Sequence, residues 1–225
     1  LSGQQIEDGV ERMIITKGDS FRDALKKRDV LKWVEFLDVD FGGTGLFKGD
    51  KFIDFLYDSM GAKSFSDLDI PLSVVAADLW TSEQVLLNTG LLLPAIKASM
   101  GLPGVFTPVT LQGRVLIDGG GVNPVPHDVL SDCDLVIAID VMGSTESRQG
   151  KTPNLFRAVL GTFDVMQNSI ISEKLKASPP DIYIKPSISD VDILDFYKAE
   201  TIYEQARPAA EQLREALSAA MEQRP

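Results

Sequence analysis

Short apolar runs alternating with stretches of helical period constrain this chain more than any other feature of it. The run Pro71-Leu72-Ser73-Val74-Val75-Ala76-Ala77 has the pattern of a strand buried on both faces, and Asp134-Leu135-Val136-Ile137-Ala138-Ile139-Asp140-Val141 is the clearest such strand in the sequence. Further strands are expected at Glu83–Leu87, Thr107–Thr110, Arg114–Ile117 and Ile182–Ile184, with a hairpin at Gln112-Gly113. Helical spacing of Ile6, Val10, Met13 and Ile14 predicts a helix over Gln4–Thr16, and Asp19-Ser20 would cap a second, short one. After the glycine-rich loop Phe41–Leu46, Phe52, Phe55 and Leu56 mark another apolar helical face, which Gly61 would stop. Helices are also predicted over Leu91–Met100, Asn154–Lys174 and Ala199–Met221, the last kinked or broken at Pro208. Strands alternating with helices predict an α/β fold, with three layers (α/β/α) around a mainly parallel central sheet. The length of 225 residues suits a single domain, residues 1–225, with room for a sizeable core.

Charge and composition remove several functions. A net charge of −11 without any basic run makes nucleic acid a poor partner and removes simple attraction to anionic lipid. With Cys133 and His127 the only residues of their kinds, neither an internal disulfide nor a structural zinc site can be built. No apolar run approaches the roughly 18–20 residues that span a bilayer; the longest, Leu91–Ile96, is broken by Pro94. The chain starts at Leu1 without a charged segment and apolar core, so no signal peptide is expected in it and it reads as a fragment or a processed product. A cytoplasmic or peripheral membrane location is the expectation.

The stretch LQGRVLIDGGGVNPVP, Leu111 to Pro126, concentrates the candidate chemistry. A dinucleotide loop fails because proline occupies its third glycine position, and a Walker loop fails because no G-x-x-x-x-G-K-S/T occurs: Gly150-Lys151-Thr152 has Thr145 where the first glycine is needed. A Ser-His-Asp triad finds only His127, more simply a surface or capping residue, and no G-x-S-x-G elbow. Many acids are present, but nothing selects a glycosidase pair. Asp118 remains. Asp-Gly is a common turn dipeptide in which glycine accepts positive φ. Three glycines exceed the needs of one turn, however, and would let another backbone segment approach the carboxylate. Asp118 also ends a strand, at the edge of an α/β sheet where sites form.

LIDGGGVNPVP resembles the Asp-Gly-Gly segment of the patatin-like phospholipases, lipid acyl hydrolases with a Ser–Asp dyad, and the chain is closest in kind to bacterial members. GTGLFKGDKFIDFL, IPLSVVAADLWTSEQVLL, DLVIAIDV and DFYKAETIYEQARPAAEQL are similar to further segments of that family in the same order. So is AIKASMGLPGVFTPV, with Gly101 where the family more often has serine. The resemblance implies a patatin-like domain lacking its N-terminal part, because the family's oxyanion loop and G-x-S-x-G serine precede the region that matches Leu1. Asp118 would be the general base, and Gly119 and Gly120 would let the serine turn approach it. Leu102, Val105 and Phe106 would line an acyl groove or, equally, pack in the core.

The implied substrate is an acyl ester, a phospholipid or lysophospholipid, met through peripheral membrane contact. No cofactor or metal is implied, and nothing indicates an oligomeric state. The alternative is a catalytically inactive patatin-like module that binds lipid or a partner. With no serine elbow present, this chain alone is expected to hydrolyse no p-nitrophenyl acyl esters; turnover that survives purification would place the nucleophile within it.

Overall fold

The computed structural model describes residues 50, 54, 58, 62–143, 152, 155–191 and 198–222, which fall into two compact units. The larger holds described residues between 50 and 133 together with 152 and 155–180; the smaller holds 134–143, 181–191 and 198–222. The helices expected over Gln4–Thr16 and after Asp19-Ser20, and the loop Phe41–Leu46, lie outside the described residues. Of the helix expected to follow that loop, Asp50, Asp54 and Asp58 are described and are helical.

In the larger unit, strands β1 (Val74–Asp78), β2 (Gln84–Leu87), β3 (Val109–Leu111) and β4 (Arg114–Asp118) form a four-stranded sheet in the order β2-β1-β4-β3. Every neighbouring pair in it is antiparallel, which corrects the expectation of a mainly parallel sheet. For β1–β2 and β3–β4 the reason lies in the connections. The β1–β2 turn begins with Asp78, whose Oδ1 accepts from the Trp80 and Thr81 N–H groups at 3.0 and 3.2 Å, and Ser82 adopts φ 57°. The β3–β4 turn places Gln112 and Gly113 at φ 52° and 77°, the left-handed pair that a two-residue hairpin favours. Turns this short can join only antiparallel neighbours.

The apolar run in β1 reports burial, and burial is independent of strand direction. Val75, Ala76, Ala77 and Asp78 are all buried because β1 lies inside the sheet. Helix α1 (Leu92–Ser99) packs on β1 and β4, burying Leu92, Leu93, Ala95 and Ala98. Leu92, Ala95 and Ala98, with Phe65, Ala76, Leu87 and Leu116, make the core of the unit. Helix α2 (Leu155–Ala177) belongs to the same unit and packs where β4 ends.

The smaller unit pairs β5 (Ile137–Ile139) with β6 (Ile182–Ile184) in parallel, and helix α3 (Ala199–Glu222) packs against them. Ala209, Leu213, Ala216, Leu217 and Ala220 recur at helical spacing and meet Ile182, Ile184 and Ile137. The helix runs unbroken through Pro208, which is exposed, so the carbonyl deprived of its partner can turn to water. Asp140 has no exposed surface. Its carboxylate accepts from the Tyr183 hydroxyl at 2.6 Å and the Met142 N–H at 2.9 Å, and pairs with the Lys185 ammonium at 2.8 Å. Burial, and then the bond to this carboxylate, push the Tyr183 phenol well above its usual value.

The chain is therefore α/β, built of helices, one antiparallel sheet and one parallel strand pair among the described residues. Leu116, 1 % exposed on β4, is expected to lose about 2–5 kcal/mol on Leu116→Ala, as a cavity opens beneath α1. Urea unfolding checks this, and an unchanged midpoint would show that β4 is not packed in this core.

Candidate active site

Asp118 is the last residue of β4, opposite Ala76 of β1, and its N–H donates to Gly101 O at 3.1 Å. The chain then turns through one 3-10 turn, Gly119–Gly121, closed by the Val122 and Asn123 N–H groups on Gly119 O at 3.1 and 2.8 Å. Asp118 caps this turn: its Oδ1 accepts from Gly120 N–H at 2.6 Å. The side chain is half-buried, and burial pushes its carboxyl above the usual carboxylate range; the Gly120 N–H opposes this in part. Among the described residues, no ion pair neutralises Asp118. Strand end, turn and backbone donor together hold one carboxylate in a fixed orientation with a raised proton affinity.

The glycines have separate reasons. None of the three adopts positive φ, so the turn does not require glycine for its backbone conformation. A Cβ on Gly119 would lie 2.3 Å from Val75 O and 2.7 Å from Val75 C, so glycine here lets the turn lie against β1. A Cβ on Gly120 would lie 1.9 Å from Gln167 Nε2 and 2.9 Å from Asp118 Oδ1. At Gly121 the nearest atom would be 3.8 Å away, on the Phe163 ring, which is ordinary contact. The close approach expected at these glycines is made, among the described residues, by β1 and by a side chain of α2. Gly101 is also tight: a Cβ there would meet Ala98 O at 3.1 Å, so the serine common in the family would need a small shift.

The segment after the turn is fastened to α2 and β2. Buried Asn123 donates from Nδ2 to Gln84 Oε1 at 2.6 Å and to Asp128 Oδ1 at 3.0 Å. The Lys174 ammonium donates to Asn123 Oδ1 and Asp128 Oδ1. Burial raises the Asp128 carboxyl, but Lys174 and Asn123 together outweigh it and hold the group below its usual value.

His127 is buried, which corrects its reading as a surface residue. Its Nδ1 and Nε2 face the Val125 and Ser178 carbonyl oxygens at 3.0 and 2.7 Å, so the ring anchors the loop to the end of α2.

The structure brings the loop bearing Leu102, Val105 and Phe106 beside Asp118 through the Gly101 carbonyl. Val105 has no exposed surface and Leu102 is 6 % exposed, so both pack as core; Phe106 is partly exposed. Sequence reasoning missed Gln167, Asn123 and Lys174. The available signal was on α2, where Phe163, Gln167, Ile171 and Lys174 share one helical face and a polar residue interrupts the apolar ones.

The model of the family described as patatin-like phospholipase matches residues 4–131, more than half of the chain, and the match includes Asp118 and its glycines. The chain belongs to the patatin-like phospholipase family. An uncharacterized NTE family protein of Mycobacterium tuberculosis is 34 % identical over 123 residues, covering 54 % of this chain and 33 % of that protein. Neuropathy target esterase sws of Drosophila melanogaster is 34 % identical over 136 residues, 58 % of this chain and 9 % of its own length. Lysophospholipase NTE1 of Kluyveromyces lactis is 27 % identical over 197 residues, 76 % of this chain and 14 % of its own length. The patatin-like chain thus spans a third or less of the length of these relatives.

Gly119→Ala is expected to cost about 1–3 kcal/mol, since a backbone carbonyl must move. Gly121→Ala should leave the urea midpoint unchanged or slightly raised. Equal effects at the two positions would contradict the close approach of the turn to β1.

Proposed function

We propose that the protein is a hydrolase of lipid acyl esters, of phospholipase or lysophospholipase type, in which Asp118 is the base of a Ser–Asp dyad. Membership of the patatin-like phospholipase family supports the reaction class, as do relatives whose names are esterase and lysophospholipase. The observation that carries the residue assignment is the state of Asp118: a half-buried carboxylate at a strand end, held by one backbone N–H. A base gains efficiency as its pKa approaches the working pH, and burial moves this group in that direction.

In this reading a serine hydroxyl attacks the ester carbonyl while its proton passes to Asp118. Collapse of the tetrahedral intermediate releases the alcohol, which takes that proton back, and leaves an acyl-serine. Water then attacks the acyl-serine, Asp118 receives the proton from water, and the serine leaves with it as the fatty acid is freed. Backbone N–H groups of a glycine-rich loop would stabilise each oxyanion. No G-x-S-x-G occurs in these 225 residues, so the reading draws the serine and that loop from elsewhere in a longer protein, as parts of one three-layer patatin-like domain. This chain alone would then be inactive. Phe106 would face the acyl chain, with Leu102 and Val105 as the packed floor behind it. No helix among the described residues is long and apolar enough to cross a membrane, and the reading takes contact with the lipid surface as peripheral.

In the complete protein, Asp118→Asn is expected to lower kcat/KM for a lysophospholipid by about 10²–10⁴-fold with the fold intact. Retained turnover would remove Asp118 from the reaction. Because only the ionised carboxylate accepts a proton, activity should fall as pH drops through its raised pKa. The acid limb of the kcat/KM profile should therefore lie above the 3.8 of an unperturbed aspartate.

A further inference from the structure

We propose that Gln167 is a positioning residue for Asp118: its side-chain amide, seated over Gly120, sets the orientation and polar surroundings of the carboxylate. The inference rests on Asp118 being the base and extends that reading to a helix outside the Asp-Gly-Gly segment.

The geometry is local and specific. Gln167 Nε2 and Asp118 Oδ1 lie 1.9 and 2.9 Å from the same point, the place where a side chain on Gly120 would begin. The absent side chain therefore leaves its space to the amide, and the amide and carboxylate are neighbours across it. Any side chain at residue 120 would push on both groups at once. The carboxylate is meanwhile bonded to Gly120 N–H, so turn, amide and acid form one contact set.

Burial makes the residue type informative. Gln167 is 7 % exposed on a helix whose same face carries Phe163 and buried Ile171. A buried amide costs free energy unless a polar group answers it, and leucine or methionine would pack at that position without the cost. The polar group beside it is Asp118. The charged side chains on the elements around Asp118 are committed elsewhere. Arg114 pairs with Asp78 and Glu83 toward the start of β4, Lys97 of α1 pairs with Asp50, and Lys174 of α2 pairs with Asp128. The carboxylate is thus left with one neutral donor, the Gly120 N–H, and with the amide of Gln167 as a polar neighbour. A neutral donor favours the ionised carboxylate without neutralising it, so the group can still take a proton.

The test is the pH dependence of fluorophosphonate labelling and of lysophospholipid hydrolysis in the complete protein, for wild type, Gln167→Leu and Gln167→Glu. Leucine removes the amide dipole beside the carboxylate, and glutamate places a second acid beside the first. The acid limb should therefore move to higher pH in the order wild type, Leu, Glu, by on the order of one unit for Glu. kcat should fall while KM stays within about twofold, as expected for a residue that acts through the base. An acid limb that stays in place in both variants would overturn the proposal, and so would a rise in KM alone, which marks a substrate contact. If leucine disturbs folding, glutamate keeps the shape of glutamine and decides the matter alone. Absence of labelling in the wild type, or undiminished labelling in Asp118→Asn, would remove the dyad reading itself. An inactive Asp118→Asn with unmoved Gln167 limbs would remove only the role of Gln167.

Discussion

The contact on which the candidate site depends is that between Gly119 and the backbone of Val75. A Cβ at residue 119 would lie 2.3 Å from the Val75 carbonyl oxygen, inside any permitted contact. Because that side chain is absent, the chain can leave β4 and turn immediately against β1, so the carboxylate of Asp118 is presented at the sheet edge by a single 3-10 turn. Pairing of Ala76 with Asp118 fixes the register, and the bond from Asp118 N–H to Gly101 O ties in the loop that follows α1. Orientation of the acid is thus set by backbone on several sides, which loses less on thermal motion than a carboxylate carried by a free loop would.

Two acids in this protein, one buried and one half-buried, sit in contrasting surroundings. Asp140, with no exposed surface, is met by the Tyr183 hydroxyl, the Lys185 ammonium and the Met142 N–H. A carboxylate so surrounded serves to close the end of β5, because its lone pairs are occupied by donors of the protein. Asp118 has one backbone donor and a raised proton affinity from burial. That is a poor arrangement for stability and a suitable one for accepting a proton. The segment beyond it shows the stability side again, with Lys174, Asn123, Asp128 and Gln84 joined in one hydrogen-bonded set. Rigidity is supplied around the acid, while burial leaves the acid itself with a raised proton affinity.

Much of this was readable from residue pattern, and the failures share a cause. The strands at Val74–Asp78, Gln84–Leu87, Arg114–Asp118 and Ile182–Ile184 and the helices Leu155–Ala177 and Ala199–Glu222 fall where apolar spacing placed them. Their ends moved by a few residues. Strand direction was misread because an apolar run reports only that both faces are covered; the turns at Ser82 and Gln112-Gly113 decide direction within the two hairpins. His127 looked like a surface residue because nothing local reveals that the end of α2 returns to meet it, 51 positions later. Gln167 was overlooked for the same reason, as its partner is brought to it by packing and not by spacing along the chain.

By itself the sequence determined the α/β class, the place of Asp118 at a strand end, and the family to which the chain belongs, because these depend on local period and on the order of short segments. Only tertiary structure decided what the glycines are for. Periodicity and composition treat Gly119, Gly120 and Gly121 alike, yet one makes room for a backbone carbonyl, one for a buried amide, and the third for nothing closer than ordinary contact. That difference is a matter of which atoms, distant in the chain, come within 3 Å of a missing side chain. Excluded volume in the folded state alone can settle it.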